Sequence, residues 1–200
     1  MKHKIKLIIF DAYGAVLSRG YPDTVGVLAK RYKIPEAKLQ QVLYQKYFNL
    51  AALRKITQKQ AWQEAVQELK LPLSWQAVRA LHMSLFKVNR PVLRIARNLR
   101  KDYITIMLSK NTRSQFAGTK KKLPAVWRSF DCVMNTWELN LPKASRATIS
   151  LIAKKFKVKP TEIILIDDQR DNLIAGKAMG VKTIFYRNFK QFKKELNQYL

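Results

Sequence analysis

The stretch Ile5–Leu17, IKLIIFDAYGAVL, decides how the rest of the chain is read. An apolar run leads into Asp11, and Gly14 follows three positions later. A short run of this kind, ended by a turn signal, reads as a buried strand of a parallel sheet. In open sheets of that type the reactive groups lie just past the carboxyl ends of the strands. Asp11 takes that place, and a carboxylate there can serve as nucleophile, metal ligand or both. Such runs also end strands that carry no chemistry, and three further stretches separate the two cases.

At 200 residues, 48% of them hydrophobic, the chain can bury a substantial core. One domain, or one with an inserted subdomain, is expected. Its one cysteine, Cys132, excludes a disulfide framework and reads as a small buried hydrophobe. A reducing cytoplasm is the simplest compartment. Lys2, His3, Lys4 and Lys6 before an apolar run imitate a signal peptide, but Asp11 interrupts that run. No stretch approaches 18 uninterrupted apolar residues, so neither a transmembrane helix nor a membrane partner is expected.

Charge is the unusual feature, with 39 Lys and Arg against 13 Asp and Glu and a formal net of +26. A field of that sign favours anionic, and in particular phosphate-bearing, ligands. The basic residues are spread along the chain with only short clusters, Lys120–Lys122 among them, which read as solvated helix ends. Nucleic acid is therefore the less favoured partner class, and a small anionic substrate the more favoured.

Residues 21 to 87 carry no strand signal. Pro35 suits a helix start, Thr57 and Gln60 have capping-box spacing, and Trp62, Ala65, Val66 and Leu69 form an amphipathic stripe. Ser74 can cap a further helix carrying Val78, Leu81 and Leu85. From Pro91 onward helices and strands alternate. Strands are expected at Tyr103–Leu108, Cys132–Met134, Ile163–Ile166 and Val181–Tyr186, with helices between them. This order predicts an α/β protein: a Rossmann-like parallel sheet formed by 1–17 and 90–200, with a helical cap inserted over 18–89.

Three of the strands end in groups suited to a phosphate and a metal: Asp11, Ser109, and the pair Asp167 and Asp168. Lys143 lies in a loop, LNLPKAS, just ahead of a helix. If the strand ends line up, a nucleophile, a hydroxyl donor, an ammonium and a carboxylate pair converge on one crevice. Adjacent carboxylates repel unless a cation or basic group offsets them. His3 and His82 lack a metal-ligand companion and read as a terminal and a helix-surface residue, while the four tryptophans read as packing aromatics.

These stretches resemble the motifs of the haloacid dehalogenase-like hydrolase superfamily, over nearly the whole chain. FDAYGAVL is similar to the first motif, IMLSKNT to the second, Lys143 to the third and ILIDDQRDNLIAGKAMGV to the fourth. The segment LRKITQKQAWQEAVQEL is similar to the cap of small sugar-phosphate phosphatases and epoxide-hydrolase-linked phosphatase domains. The resemblance implies an aspartyl-phosphate formed on Asp11, and Mg²⁺ held by Asp11, the backbone carbonyl of Tyr13, Asp167 and Asp168. It further implies phosphoryl contacts from Ser109, Lys110, Asn111 and Lys143, and a role for Asn172 in orienting the metal-side loop.

Two departures bear on activity. Phosphatases of the family carry a second Asp two positions after the nucleophile, as acid for the leaving group and base for water. Tyr13 stands there instead. Losing a positioned acid–base group typically costs on the order of 10²–10⁴ in rate. Lys110 also stands where related enzymes have Asn. The Asp-x-Tyr-Gly arrangement is similar to that of 2-haloacid dehalogenases, whose metal-free chemistry needs no acid, but those enzymes lack the paired carboxylates. The reading is thus an Mg²⁺-dependent phosphatase weakened at one step. The alternatives are a metal-free dehalogenase and a degenerate protein binding an anion or nucleic acid.

Overall fold

The structure, a computed structural model, describes residues 4–200. The sequence reading of Met1, Lys2 and His3 lies outside the described residues. The described residues form two compact units, one of residues 4–17, 88–110 and 123–200, the other of residues 18–87 and 111–122.

The first unit is built on five parallel strands in the order β3-β2-β1-β4-β5. These are β1 (Leu7–Asp11), β2 (Ile104–Ser109), β3 (Cys132–Asn135), β4 (Ile163–Asp167) and β5 (Lys182–Phe185). All five residues of β1 are buried, as a central strand covered on both faces requires. Leu7 and Ile9 pack with Ile106, Leu108, Ile152 and Leu165 in one apolar cluster. Phe10, on the alternate face, meets Phe130 and Phe192 edge-on. The helices are α6 (Arg90–Leu99), α8 (Pro124–Trp127), α9 (Thr136–Leu139), α10 (Arg146–Phe156), α11 (Asp171–Ala178) and α12 (Phe189–Asn197).

The strand order reverses at β1: the chain moves outward to β2 and β3, then crosses back through α10 to β4. Such a switch point opens a crevice at the carboxyl ends of the two strands flanking it. Those ends are Asp11 of β1 and Asp167 of β4. Topology thus brings together residues 156 positions apart in the chain.

The second unit is helical: α1 (Tyr21–Tyr32), α2 (Glu36–Gln40), a π-helical stretch Gln41–Phe48, α3 (Asn49–Ala52), α4 (Gln58–Glu68), α5 (Trp75–Ser84) and α7 (Arg113–Lys122). The side chain of Thr57 accepts from the Gln60 amide at 3.1 Å while the Thr57 amide donates to the Gln60 side chain at 2.9 Å, the reciprocal cap read from the sequence. Ser74 caps α5 through the Ala77 amide at 3.2 Å. The core gathers Tyr21, Leu28, Leu39, Leu43, Trp62 and Val78.

Three sequence readings are corrected. The segment 111–122, read as part of the strand-bearing unit, belongs to the helical one. Gln115 ties it there: its side chain bonds Gln58 at 2.5 Å and the His82 ring at 2.7 Å. His82 is not a surface residue but is fully buried. Its other ring nitrogen meets the Thr24 hydroxyl at 2.8 Å, and Tyr21, Trp62 and Phe86 surround the ring. Cys132 is half-buried at the start of β3. Among the described residues no helix is long and apolar enough to cross a membrane.

Candidate active site

The carboxyl ends of β1 and β4 deliver Asp11, Asp167 and Asp168 to one point. A carboxylate oxygen from each lies within 4.8 Å of the others, and all three residues are buried. Lys143, from the loop between α9 and α10, is itself buried and reaches into the cluster. Its ammonium donates to Asp11 Oδ1 and, at 2.7 Å, to Asp167 Oδ2. Asp167 is held from its other side: Oδ1 accepts from the Gln169 amide and from Asn172 Nδ2, each at 2.9 Å. Asn172 lies in the first turn of α11, so the start of that helix fixes the carboxylate.

Asp11 Oδ2 and Ser109 Oγ are buried and have no hydrogen-bond partner among the described residues. Buried polar atoms are nearly always paired, so orphaned ones at strand ends point to a ligand. Gly14 supplies a further signal. Its φ of +125° is a conformation that L side chains rarely adopt. A Cβ there would fall 2.2 Å from the carboxyl carbon of Asp168. The turn after β1 therefore approaches the turn after β4 closely enough to exclude a methyl group.

The charges are strongly perturbed. Burial pushes the Asp11 carboxyl up to about 8; Lys143 pulls it down, while Asp167 and then Asp168 push it up. For Lys143 burial works against the charged form, but Asp11 and Asp167 outweigh it and hold the ammonium above the usual lysine range. Lys110, which follows β2, is shifted down by partial desolvation and by the neighbouring charge of Lys143. Three carboxylates thus gather where one ammonium touches two of them. A cation added to this cluster would favour the ionised form of Asp11.

Of the residues picked out in the sequence, Asp11, Lys143, Asp167 and Asp168 come together directly. Ser109 ends β2, the neighbour of β1, and Lys110 follows it. Asn111 is counted with the helical unit, where its Oδ1 accepts from the Thr112 amide at 2.9 Å. Tyr13 lies in the turn after β1 and bridges to Leu17. The close approach of Gly14 to Asp168 was not foreseen. Only its position three residues after Asp11 hinted at it.

Comparison with known proteins agrees with this architecture. The bifunctional epoxide hydrolases 2 of Mus musculus and Rattus norvegicus are each 24% identical over 120 residues, 58% of this chain but only 22% of theirs. An HAD family enzyme from Bacteroides thetaiotaomicron superposes with a TM-score of 0.72 at 16% identity, covering 92% of this chain and 95% of its own. The same enzyme with magnesium and inorganic phosphate gives 0.70 over 92% and 94%. An L-2-haloacid dehalogenase gives 0.64 at 17% identity, over 90% and 83%. A family sequence model described as haloacid dehalogenase-like hydrolase matches residues 5–180, and the chain belongs to that hydrolase family.

Proposed function

We propose that this hydrolase is an Mg²⁺-dependent phosphatase acting on a small phosphorylated metabolite, with Asp11 as its nucleophile. The observation that carries the reading is the convergence of three buried carboxylates within 4.8 Å of one another, two of them bonded to the Lys143 ammonium. The all-oxygen donor set suits a hard divalent cation, and the orphaned Asp11 Oδ2 offers it a free ligand atom. Asp11, Asp167, Asp168 and the backbone carbonyl of Tyr13 would hold the ion. Bound there, Mg²⁺ would offset the repulsion between the nucleophile and a phosphate dianion.

The chain's own residues then divide the work. A carboxylate oxygen of Asp11 attacks phosphorus in line as the bond to the leaving oxygen breaks, giving an aspartyl-phosphate and a leaving-group anion that takes its proton from solvent. Lys143 stabilises the charge on the transferring group. Ser109 and Lys110 hold the phosphoryl oxygens. Water attacks the aspartyl-phosphate, releasing inorganic phosphate and restoring the carboxylate. Tyr13 leaves the position of a leaving-group acid without a carboxyl, so esters of acidic alcohols and acyl phosphates are the favoured substrates.

The Asp-x-Tyr-Gly turn and the likeness to an L-2-haloacid dehalogenase favour a second reading, metal-free hydrolysis of a carbon–halogen bond. Against it stands the acidic pair at the end of β4, which a neutral carbon–halogen bond does nothing to offset. Phosphate release from p-nitrophenyl phosphate separates the two. It should require Mg²⁺ and fall on the order of 10⁴-fold or more in Asp11→Asn. Halide release from 2-chloropropionate without metal would establish the second reading. Steeply salt-dependent nucleic-acid binding that survives Asp11→Asn, with no hydrolysis, would replace both.

A further inference from the structure

Pairing between β1 and β4 ends at Phe10 and Ile166, one residue short of Asp11 and Asp167. The ladder therefore holds the two strands together up to the residue before each carboxylate, and the turns beyond it diverge from the sheet. Asp11 pairs on its other side with Leu108 of β2, and Asp167 with Phe185 of β5. Lys143 bridges the carboxylates themselves, and a second link joins the turns behind them.

Two side chains outside the carboxylate cluster, Asn89 and Tyr186, form that second link. Asn89, just before α6, donates through Nδ2 to the Ala15 carbonyl at 2.9 Å and to the Tyr186 hydroxyl at 2.6 Å. Its Oδ1 accepts from the Val92 amide at 3.4 Å, and its own amide donates to Val16 at 2.9 Å. Ala15 and Val16 belong to the turn after β1, folded tightly by Val16 to Asp11, Leu17 to Ala12 and Gly14 to Leu17 hydrogen bonds. Tyr186, just after β5, donates its amide to the Asp167 carbonyl at 2.8 Å. Its ring is buried and lies 5.8 Å from that of Phe192. One continuous path therefore runs from the turn after Asp11, through Asn89 and Tyr186, to the backbone of Asp167.

We infer that Asn89 and Tyr186 form a clamp that sets the distance between the two acidic turns and so tunes the affinity of the carboxylate cluster for a divalent cation. This rests on the metal reading above. Mg²⁺ demands ligand distances near 2.0–2.1 Å, so shifts of a few tenths of an ångström between the turns are felt. Removing a group that orients a metal ligand typically costs 10–100-fold in affinity. Asn89 and Tyr186 are positioning residues: they act on the ion only through the turns they join.

The test is Mn²⁺ binding to the full chain, followed by the electron paramagnetic resonance of the free ion. Tyr186→Phe keeps the ring packing and removes only the hydroxyl; Asn89→Ser keeps a helix cap and removes the amide donor. Each should weaken Mn²⁺ about tenfold with the metal-free melting temperature nearly unchanged. The double variant should be no weaker than the worse single one, since both break the same path. Wild-type affinity in Tyr186→Phe overturns the clamp and leaves the metal reading standing. Independent, multiplying losses in the two variants overturn the joint device. A loss matched by an equal fall in metal-free stability marks a purely structural role and overturns it too. Absence of Mn²⁺ binding by the unaltered protein removes the metal reading itself.

Discussion

Each unit buries a polar cluster, and the two clusters are built on opposite principles. In the helical unit the Gly20 carbonyl, the Thr24 hydroxyl, the His82 ring, Gln115, Gln58 and Ser114 form one chain of hydrogen bonds between neutral groups. Each of these side chains finds a partner along it. In the strand-bearing unit three carboxylates crowd one ammonium, and Asp11 Oδ2 and Ser109 Oγ are left over. Satisfied neutral networks rigidify and specify a packing. Clustered charge with orphaned acceptors costs stability and is kept where a ligand completes it. The histidine is therefore structural and the aspartates are the candidates for chemistry, although histidine is the residue more often linked to catalysis.

The largest break in this contrast should come at Lys143. Lys143→Met leaves Asp11 and Asp167 buried without their ammonium, and about 3–5 kcal/mol of stability should be lost in urea denaturation of the metal-free protein. Millimolar Mg²⁺ should restore part of it. The matching change in the neutral network, Gln115→Leu, should cost only about 1–3 kcal/mol and be indifferent to Mg²⁺. Equal losses, or equal responses to the ion, would erase the distinction.

Acid should separate the clusters next. Burial, and then the charge of Arg79, lower the His82 pKa to about 3, against about 6.5 when unfolded. Below pH 6.5 the unfolded chain takes up a proton that the folded one refuses. This stabilisation is full above that pH and declines as pH falls toward 3. About 3 kcal/mol should disappear between pH 6.5 and 4, and His82→Gln should flatten that part of the profile measured by denaturation.

Tyr13→Asp addresses the site alone. It should raise turnover of alkyl phosphates by about 10²-fold while changing p-nitrophenyl phosphate much less, as steady-state kinetics would record. An unchanged ratio would mean that proton delivery does not limit the reaction. The smallest effect belongs to the scaffold: Thr57→Ala removes the cap of α4 and should cost about 1 kcal/mol in thermal unfolding with no kinetic consequence.

Much was legible from local pattern. The five strands and the candidates Asp11, Asp167 and Asp168 follow from apolar runs ending in polar groups, because a strand buried on both faces leaves little freedom in composition; the Thr57 and Ser74 caps follow from capping spacing, and Lys143 from the family resemblance. His82 was misread because one imidazole on a helix carries no sign of what faces it. The segment 111–122 was misassigned because what holds it, a glutamine bonded to His82 and Gln58, is a contact between residues 33 and 57 positions apart.

The amino-acid sequence alone pointed to a parallel α/β sheet whose strand ends carry the carboxylate of Asp11 and an acidic pair. Periodicity and composition are local properties, and they suffice for that. Only the tertiary structure decided that the strand order reverses between Asp11 and Asp167, that Gly14 lies against Asp168, and that Asn89 and Tyr186 link the turn after β1 to the end of β5. Those are distances between parts of the chain that covalent order does not bring together; packing and hydrogen bonding do.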